Sequence, residues 1–171
     1  MKILKANKSH FKSIISIYNW AIENTTATFD TELKTLSNYS EFLNSFESHP
    51  LLVAVDDTNV VTGWGCLKRY SDRTAYDGTV ELSIYVDPNC HGNGIGNDMM
   101  KALLQKADEI KLHVILSRIT QESRASINLH EKYDFEHIGV MREVGLKFGK
   151  RIDVLLMQKI LKKKPLLKKG K

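Results

Sequence analysis

Residues 80–98 read VELSIYVDPNCHGNGIGND, and this stretch decides how the rest of the chain is organised. Its first part alternates between apolar and polar side chains, which predicts a strand buried on one face. Pro88 ends that strand, because proline has no backbone N–H and its neighbours Asp87 and Asn89 favour turns. The glycine-rich segment 91–96 then precedes a helical pattern. Together these features predict an anion site, because converging N–H groups and the helix dipole attract phosphate.

The spacing of the glycines distinguishes this turn from other phosphate-binding loops. It lacks the Gly-Lys-Ser/Thr ending of a P-loop, and its G-x-G-x-G spacing, followed by Asn97, differs from the G-x-G-x-x-G dinucleotide fingerprint. A glycine-rich turn that binds nothing is the alternative. Glycine has an entropic cost on folding, so a cluster of glycines at a helix start favours a close approach of the backbone to a phosphate or pyrophosphate.

Length and composition favour one folded domain. The chain has 171 residues, of which 42% are hydrophobic and 26% are charged, and it contains no apolar run of membrane-spanning length. The opening residues, MKILKANKSHFK, lack the apolar core of a signal peptide, so we expect a protein that is not secreted. Cys66 and Cys90 have no C-x-x-C spacing, which indicates a reduced, cytoplasmic protein without a disulfide framework or metal cage.

The net charge of +5 is concentrated at the C-terminus. Residues 161–171 contain six lysines and no acidic residue, so the other 160 residues carry a net charge of −1. We therefore predict a single domain over residues 1–160 and a lysine-rich tail over residues 161–171, and we expect neither a nucleic-acid partner nor a membrane partner. A terminal lysine run is most often solvated, and an arm for nucleic acid or acidic lipid is the less common alternative.

Hydrophobic periodicity predicts an α/β (α+β) fold in the order β-α-α-β-β-β-α-β-α-β-β. We expect about four helices on a mixed, mostly antiparallel central sheet of about seven strands, with Ser9 as the N-cap of the first helix. The predicted strands are residues 1–6, 51–56, 60–68, 79–86, 113–119, 135–143 and 150–159. The first predicted helix ends near residue 23, and the other three cover approximately residues 37–48, 94–110 and 123–133.

The glycine-rich loop resembles the acetyl-CoA-binding motif of the GNAT acetyltransferase superfamily. Patches along nearly the whole chain resemble one branch of it, the phosphinothricin/methionine sulfoximine acetyltransferases, bacterial enzymes that acetylate the α-amine of small amino acids. These patches are residues 17–20 with 24–30 (IYNW and NTTATFD), 79–81 with 83–86 (TVE and SIYV), 91–96 (HGNGIG), 125–127 with 129–131 (ASI and LHE) and 143–145 with 147–149 (EVG and KFG). The chain departs from the residues common in the branch at four positions. Leu82 replaces His, His91 replaces Arg or Gln, Ser123 replaces Asn, and Asp134 replaces Gly.

The resemblance implies a coenzyme A site with acetyl-CoA as co-substrate and no metal. Loop amides would hold the pyrophosphate, and the backbone of the preceding strand would bind the pantetheine amides and the oxyanion that develops during acetyl transfer. The implied cofactor-binding residues are Ile84, Tyr85, Val86, His91, Gly92, Asn93, Gly94, Ile95, Gly96, Ser123 and Ser126.

The resemblance also assigns proton transfer to two side chains. Glu81 is the candidate general base, acting directly or through water, and His130 is the candidate acid toward the leaving thiolate. The alternative for Glu81 is an exposed strand glutamate without a catalytic role. The alternative for His130 is a helix histidine with a structural hydrogen bond. Tyr133 falls on a core position of the motif, so we do not expect it to be catalytic.

The expected substrate is a small-molecule amine, namely the α-amine of a small amino acid or of a toxic analogue such as phosphinothricin, methionine sulfoximine or methionine sulfone. The residues expected around it are Phe29, Arg69, Arg73, Glu81, Val144 and Lys147. Plain solvated charge is the alternative for the cations among them. One alternative is acetylation of a peptide N-terminus, a polyamine or an aminoglycoside. The other is a non-catalytic coenzyme A-binding sensor. Family analogy implies a homodimer.

Overall fold

The computed structural model describes residues 1–44, 46 and 49–161, and within them seven strands and four α-helices. The strands are β1 (Lys2–Lys5), β2 (Leu51–Val55), β3 (Val61–Arg69), β4 (Thr79–Val86), β5 (Val114–Thr120), β6 (Glu136–Lys147) and β7 (Lys150–Ile160). The helices are α1 (Phe11–Asn24), α2 (Leu36–Asn44), α3 (Ile95–Glu109) and α4 (Arg124–Lys132). Short 3-10 turns cover Lys8–His10, Thr74–Tyr76 and Pro88–Cys90.

The strands form one sheet in the order β1-β2-β3-β4-β5-β7-β6. All neighbouring strands are antiparallel except β4 and β5, which run parallel. Residues 79–81 pair with residues 114–116, and pairing stops there although β4 continues to Val86 and β5 to Thr120. The two strands therefore separate toward their C-terminal ends. The prediction of a mixed, mostly antiparallel sheet with flanking helices is confirmed.

Helix α3 packs on one face of the sheet, and helices α1 and α2 pack on the other. Alternation along β2 shows this, because Leu52 belongs to the core around α3 and Val53 to the core around α1. Met99 and Met100 of α3 are fully buried, as expected for methionines at core spacing. A Cβ built on Gly65 of β3 would lie 2.8 Å from the Met99 Cγ atom. The missing side chain thus lets α3 lie close to the sheet, with its N-terminus near the end of β4.

Two helix ends differ from the prediction. Ser9 is not the N-cap of the first helix: the Asn7 side chain accepts the Ser9 N–H over 2.9 Å and caps the Lys8–His10 turn, which leads directly into α1. An asparagine four residues before Phe11, the first apolar residue of the helix, therefore takes the capping role. Helix α2 ends at Asn44, and the part of its predicted range at residues 45, 47 and 48 lies outside the described residues.

The C-terminal hairpin is also longer than predicted. A bulge at residues 141–145 interrupts the pairing of β6 with β7, and pairing then resumes as far as Lys147. Leu161, assigned to the tail by sequence, donates its N–H to the His113 carbonyl oxygen over 2.8 Å, so the sheet contacts extend one residue beyond the predicted boundary. The rest of the tail, residues 162–171, lies outside the described residues.

Candidate active site

The loop of residues 91–96 connects the turn after β4 to the start of α3. Gly92 and Gly94 both have a φ of +80°, and Gly94 is the N-cap residue of α3. A Cβ built on either glycine would meet no atom of the described residues within 4 Å. The backbone thus bends through the left-handed region and faces open space in front of a helix N-terminus, which is an arrangement suited to phosphate oxygens.

His91, the first residue of this loop, binds the preceding strand. Its Nε2 atom donates to the carbonyl oxygen of Val86 over 3.1 Å, because a carbonyl oxygen can only accept. Its ring also meets the Trp20 ring edge to face, with the centroids 6.1 Å apart. Histidine at this position therefore fixes the start of the loop against β4.

A cavity of about 470 Å³, called here the loop cavity, extends from this loop into the gap between β4 and β5. Every predicted cofactor-binding residue except Asn93 lines it. The structure therefore brings the strand residues 84–86, the loop and the two α4-side serines, Ser123 and Ser126, together around one space. A cavity that leads from an anion-binding loop into the sheet fits an elongated ligand with phosphates at one end.

Two buried polar atoms beside the loop cavity support this fit. Ser117 Oγ and His130 Nε2 are buried without a hydrogen-bond partner among the described residues, and both residues line the cavity. Buried polar atoms in proteins are normally paired, and an unpaired one requires an explanation. A ligand with amide groups along its length, such as the pantetheine arm, would supply partners for both atoms.

His130 is a buried histidine with one committed nitrogen. The side chain is 4% exposed, and its Nδ1 atom donates to the Ser126 carbonyl oxygen over 2.8 Å, one helical turn earlier. The neutral ring therefore carries its proton on Nδ1 and a lone pair on Nε2. Burial lowers the pKa of His130, against the hydrogen bond to Ser126, so the imidazolium is disfavoured at neutral pH. An acid role, as expected from the resemblance, would require His130 to take up a proton first.

Glu81 is held by an arginine that the sequence analysis missed. Arg118 donates from Nε to Glu81 Oε1 over 2.6 Å and from Nη2 to Oε2 over 2.7 Å. The parallel ladder ends with Glu81 opposite Leu116, and Arg118 follows two residues later on the same face of β5. Hydrogen bonding to Glu81 raises the pKa of Arg118 although burial opposes this. Each Glu81 oxygen retains a second lone pair, so the carboxylate can still accept a proton.

A second cavity of about 470 Å³, the aromatic cavity, borders this ion pair. Its rings come from Tyr18, Phe29, Tyr39, Trp64 and Tyr85. The Tyr85 ring stacks on the Trp64 ring at 4.8 Å between centroids, so Tyr85 contributes a side-chain wall as well as the backbone groups predicted for it. Phe29 and Val144, expected as apolar walls of the substrate site, both line this cavity.

The loop cavity and the aromatic cavity meet. Six residues line both of them. These residues are Ala27, Leu82, Ser83, Tyr85, Arg118 and Thr120. Glu81 lines the aromatic cavity at this junction, and its side chain is 20% exposed. The geometry thus places one candidate proton acceptor where two ligands, one from each cavity, would meet.

The cations expected at the substrate lie elsewhere. Lys147 is 4% exposed, and its Nζ atom donates to the carbonyl oxygens of Thr25 and Thr28 over 2.8 and 2.7 Å. Burial lowers the pKa of Lys147, and nearby negative charge partly opposes this. Arg69 forms an ion pair with a neighbouring aspartate over 2.6 Å, and Arg73 precedes the Thr74–Tyr76 turn. Lys147, Arg69 and Arg73 line neither of the two cavities.

Among the described residues, no group of three or more His, Cys, Asp and Glu side chains is arranged to hold a metal ion. In the same part of the chain, no helix is both long enough and apolar enough to cross a membrane.

Comparison with known proteins identifies the family. Residues 14–135 match the acetyltransferase (GNAT) family. The chain is 34% identical over 158 residues to an L-methionine sulfoximine/L-methionine sulfone acetyltransferase from Pseudomonas aeruginosa, covering 91% of this chain and 92% of that protein. It is 35% identical over 147 residues to a phosphinothricin N-acetyltransferase from Streptomyces coelicolor, covering 84% and 86%.

The fold comparison agrees with the sequence comparison. A putative acetyltransferase from Salmonella typhimurium, solved with its cofactor acetyl-CoA, superposes with a TM-score of 0.92 at 30% identity and covers 95% of each chain. The predicted family and enzyme class are therefore confirmed. The chain belongs to the GNAT family of acetyltransferases.

Proposed function

We propose that this protein transfers the acetyl group of acetyl-CoA to the α-amine of a small amino acid or a toxic analogue such as methionine sulfoximine, methionine sulfone or phosphinothricin. The observation that carries the proposal is the meeting of the loop cavity and the aromatic cavity beside Glu81. A donor in the first and an amine in the second would react directly, so no covalent enzyme intermediate is needed. The names of the relatives from P. aeruginosa and S. coelicolor support the substrate class.

The donor would lie in the loop cavity. The backbone of residues 91–96, in front of helix α3, would hold the pyrophosphate of acetyl-CoA. The edge of residues 84–86 that faces β5 lies beyond the paired part of the ladder, so its backbone groups are available to pantetheine and to the developing oxyanion. When bound, acetyl-CoA supplies the thioester whose carbonyl carbon forms the new C–N bond as its C–S bond breaks.

The amine would be activated by Glu81. An α-amine binds a proton at neutral pH and must lose it before it can attack. The free lone pairs of the Glu81 carboxylate would accept this proton, directly or through one water molecule. Arg118 keeps the carboxylate in a fixed orientation at the junction through two hydrogen bonds. The proton then passes from Glu81 to solvent, and the departing thiolate takes up a proton of its own.

His130 would act on the thiolate side of the site. Its Nδ1–H is committed to the Ser126 carbonyl oxygen, and the lowered pKa leaves Nε2 with a lone pair in the resting enzyme. His130 would therefore first accept a hydrogen bond or a proton at Nε2 and only then return a proton to the thiolate. We expect the contribution of His130 to be smaller than that of Glu81, because water can also protonate a thiolate.

Thiol release from acetyl-CoA, measured over a panel of amines, tests the proposal. The panel contains methionine sulfone, phosphinothricin and common amino acids, together with a polyamine, an aminoglycoside and a peptide N-terminus. We expect kcat/KM for at least one free amino acid or analogue to exceed that for the other amines by about 100-fold, or ~2.7 kcal/mol. Turnover confined to another amine would change the substrate class. Acetyl-CoA binding without turnover of any amine would favour a coenzyme A-binding sensor.

We also propose that the protein is a cytoplasmic homodimer without nucleic-acid or membrane partners. Strand β6 is an edge strand, and alternate residues along it and the following turn are apolar and between 41% and 60% exposed. These residues are Ile138, Val140, Val144, Leu146 and Phe148. Such a face on an edge strand favours association with a second copy. Sedimentation of the wild type and of Leu146→Glu tests this, and a monomeric wild type would contradict it.

A further inference from the structure

Arg118 has more hydrogen-bond donors than Glu81 uses. A guanidinium group presents five N–H donors in a fixed planar fork. Glu81 accepts along the edge formed by Nε and Nη2. These are the hydrogen bonds of Arg118 within the described residues, so the second edge, formed by Nη1 and the other Nη2 N–H, has no partner there. This edge matches the spacing of a carboxylate.

The position of Arg118 gives this second edge a place to act. The side chain is 61% exposed, lines the aromatic cavity and also borders the loop cavity. The other Arg or Lys residue that lines the aromatic cavity is Lys68, which lies opposite Glu81 on β3. Lysine presents a point charge on a flexible stem, whereas arginine presents a fork that can bind two anions in a fixed relative orientation.

We propose that Arg118 binds the α-carboxylate of the acceptor through its Nη1/Nη2 edge while its Nε/Nη2 edge holds Glu81. The inference rests on the proposed acetylation of amino acids. In an α-amino acid the amine and the carboxylate are attached to the same carbon. An arginine that binds the carboxylate along one edge and the base along the adjacent edge therefore places the amine next to the base. Arg118 would then both select amines that carry an α-carboxylate and orient them for attack.

Removing Arg118 should have two separable effects on turnover. Loss of the Nε/Nη2 edge releases Glu81, and this affects every amine equally. Loss of the Nη1/Nη2 edge affects only amines with an α-carboxylate. The ratio of kcat/KM for methionine sulfone to kcat/KM for its α-carboxamide cancels the first effect and isolates the second.

The experiment measures this ratio in the wild type, Arg118→Ala and Arg118→Lys. We expect the wild type to prefer the free acid by about 10- to 100-fold, the range expected of charge-assisted hydrogen bonds. In Arg118→Ala the ratio should fall close to unity, mainly through a higher KM for methionine sulfone. Arg118→Lys should restore only part of it, because a point charge cannot bind both carboxylates in the fork geometry. Arg151→Ala is the matched control, since Arg151 is an exposed arginine of β7 that lines neither cavity.

Defined outcomes overturn the inference. An unchanged ratio in Arg118→Ala would mean that Arg118 only orients Glu81. If the preference for the free acid were lost in Lys68→Ala or in Arg73→Ala but kept in Arg118→Ala, the carboxylate would be assigned to Lys68 or to Arg73, respectively. Equal use of acid and carboxamide by the wild type would exclude a carboxylate site. Calorimetric titration with methionine sulfone distinguishes failure of the proposed function from failure of the carboxylate site. Binding that Arg118→Ala abolishes supports the carboxylate site even if no turnover occurs, and absence of binding to the wild type overturns it.

Discussion

The ammonium group of Lys147 donates a hydrogen bond to the carbonyl oxygen of Thr28 over 2.7 Å, across 119 residues of sequence. A second hydrogen bond joins it to the Thr25 carbonyl oxygen over 2.8 Å. One buried side chain of β6 thereby fixes the loop after α1, the loop that carries Phe29 into the aromatic cavity. The cation acts on the wall of the proposed acceptor site rather than on the acceptor itself.

Lys147→Met should therefore weaken both folding and acceptor binding. The variant keeps the length of the side chain but leaves two carbonyl oxygens without their donor, which we expect to lower the free energy of unfolding by about 2 kcal/mol. The KM for the amine should rise several-fold because the wall at Phe29 loosens. Denaturant unfolding and steady-state kinetics measure the two effects. Lys150→Met, at an exposed lysine of the same hairpin, is the control. Wild-type stability in Lys147→Met would contradict the structural role.

Gly94→Glu should weaken acetyl-CoA binding about 10- to 100-fold, because a negative side chain would stand at the helix N-terminus proposed for the pyrophosphate. Gly149→Glu is a close control. Gly149 has a φ of +71° and, like Gly94, open space around its Cβ position within the described residues, but it lies in the β6–β7 turn. Both variants place a side chain at a positive φ, so calorimetry compares the two positions directly. Equal acetyl-CoA affinities in the two variants would remove the loop from the cofactor site.

Glu81→Gln should lower kcat by about 10²- to 10⁴-fold at neutral pH and flatten the acid limb of the pH–rate profile, since an amide cannot accept the proton. Acetyl-CoA affinity should stay close to normal, because Glu81 does not line the loop cavity. Glu109→Gln, at an exposed glutamate paired with Lys106 on α3, should keep full activity. Full activity of Glu81→Gln with methionine sulfone or phosphinothricin would reject Glu81 as the base.

His130 should make folding stability depend on pH. Its pKa is lowered from 6.5 by burial, so the unfolded chain takes up a proton that the folded chain resists. The contribution of the neutral ring to stability is therefore complete above pH 6.5 and is lost as the pH falls toward the lowered pKa. His130→Gln removes this proton uptake, and the other histidines are common to both proteins. The stability difference between wild type and variant, measured from about pH 7.5 to about pH 5, should shrink as the pH falls. A constant difference would contradict the burial argument.

Removal of residues 162–171 should leave kcat/KM and the melting temperature unchanged. The described residues contain both cavities, and Leu161 completes the contacts of the sheet through its hydrogen bond to His113. A second truncation that also removes Leu161 serves as the comparison and should lower the melting temperature slightly. A large loss of kcat/KM in the first truncation would mean that the lysine-rich tail belongs to the site or to a required interface.

Local patterns were sufficient for the order of the elements and for the loop. The glycine spacing at 91–96 and the alternation in β4 depend on neighbouring residues, so they can be read from one stretch of sequence. Met99 and Met100, which are fully buried, likewise lie at core spacing within α3. By contrast, the end of β6 depends on pairing with β7 that resumes after a bulge, and no local pattern marks it.

The ionic contacts of the site could not be predicted in the same way. Arg118 meets Glu81 only because β4 and β5 pair in parallel with one register, and that register is a long-range property. A charged residue in the otherwise apolar stretch VILSRIT was the available signal. Lys147 looked like a surface cation because burial cannot be read from residue type, and Arg69 and Arg73 were as plausible as Arg118 for the same reason.

The short ladder between β4 and β5 divides the sheet into two hydrogen-bonded blocks, residues 2–86 and 114–160, joined in register only at residues 79–81. Amides near this junction should therefore exchange with deuterium faster than those in the middle of either block. A donor that fills the gap would bond to both blocks at once and would slow exchange along residues 82–86 and 117–120 together. Acetyl-CoA binding would in that case also join the two blocks of the sheet.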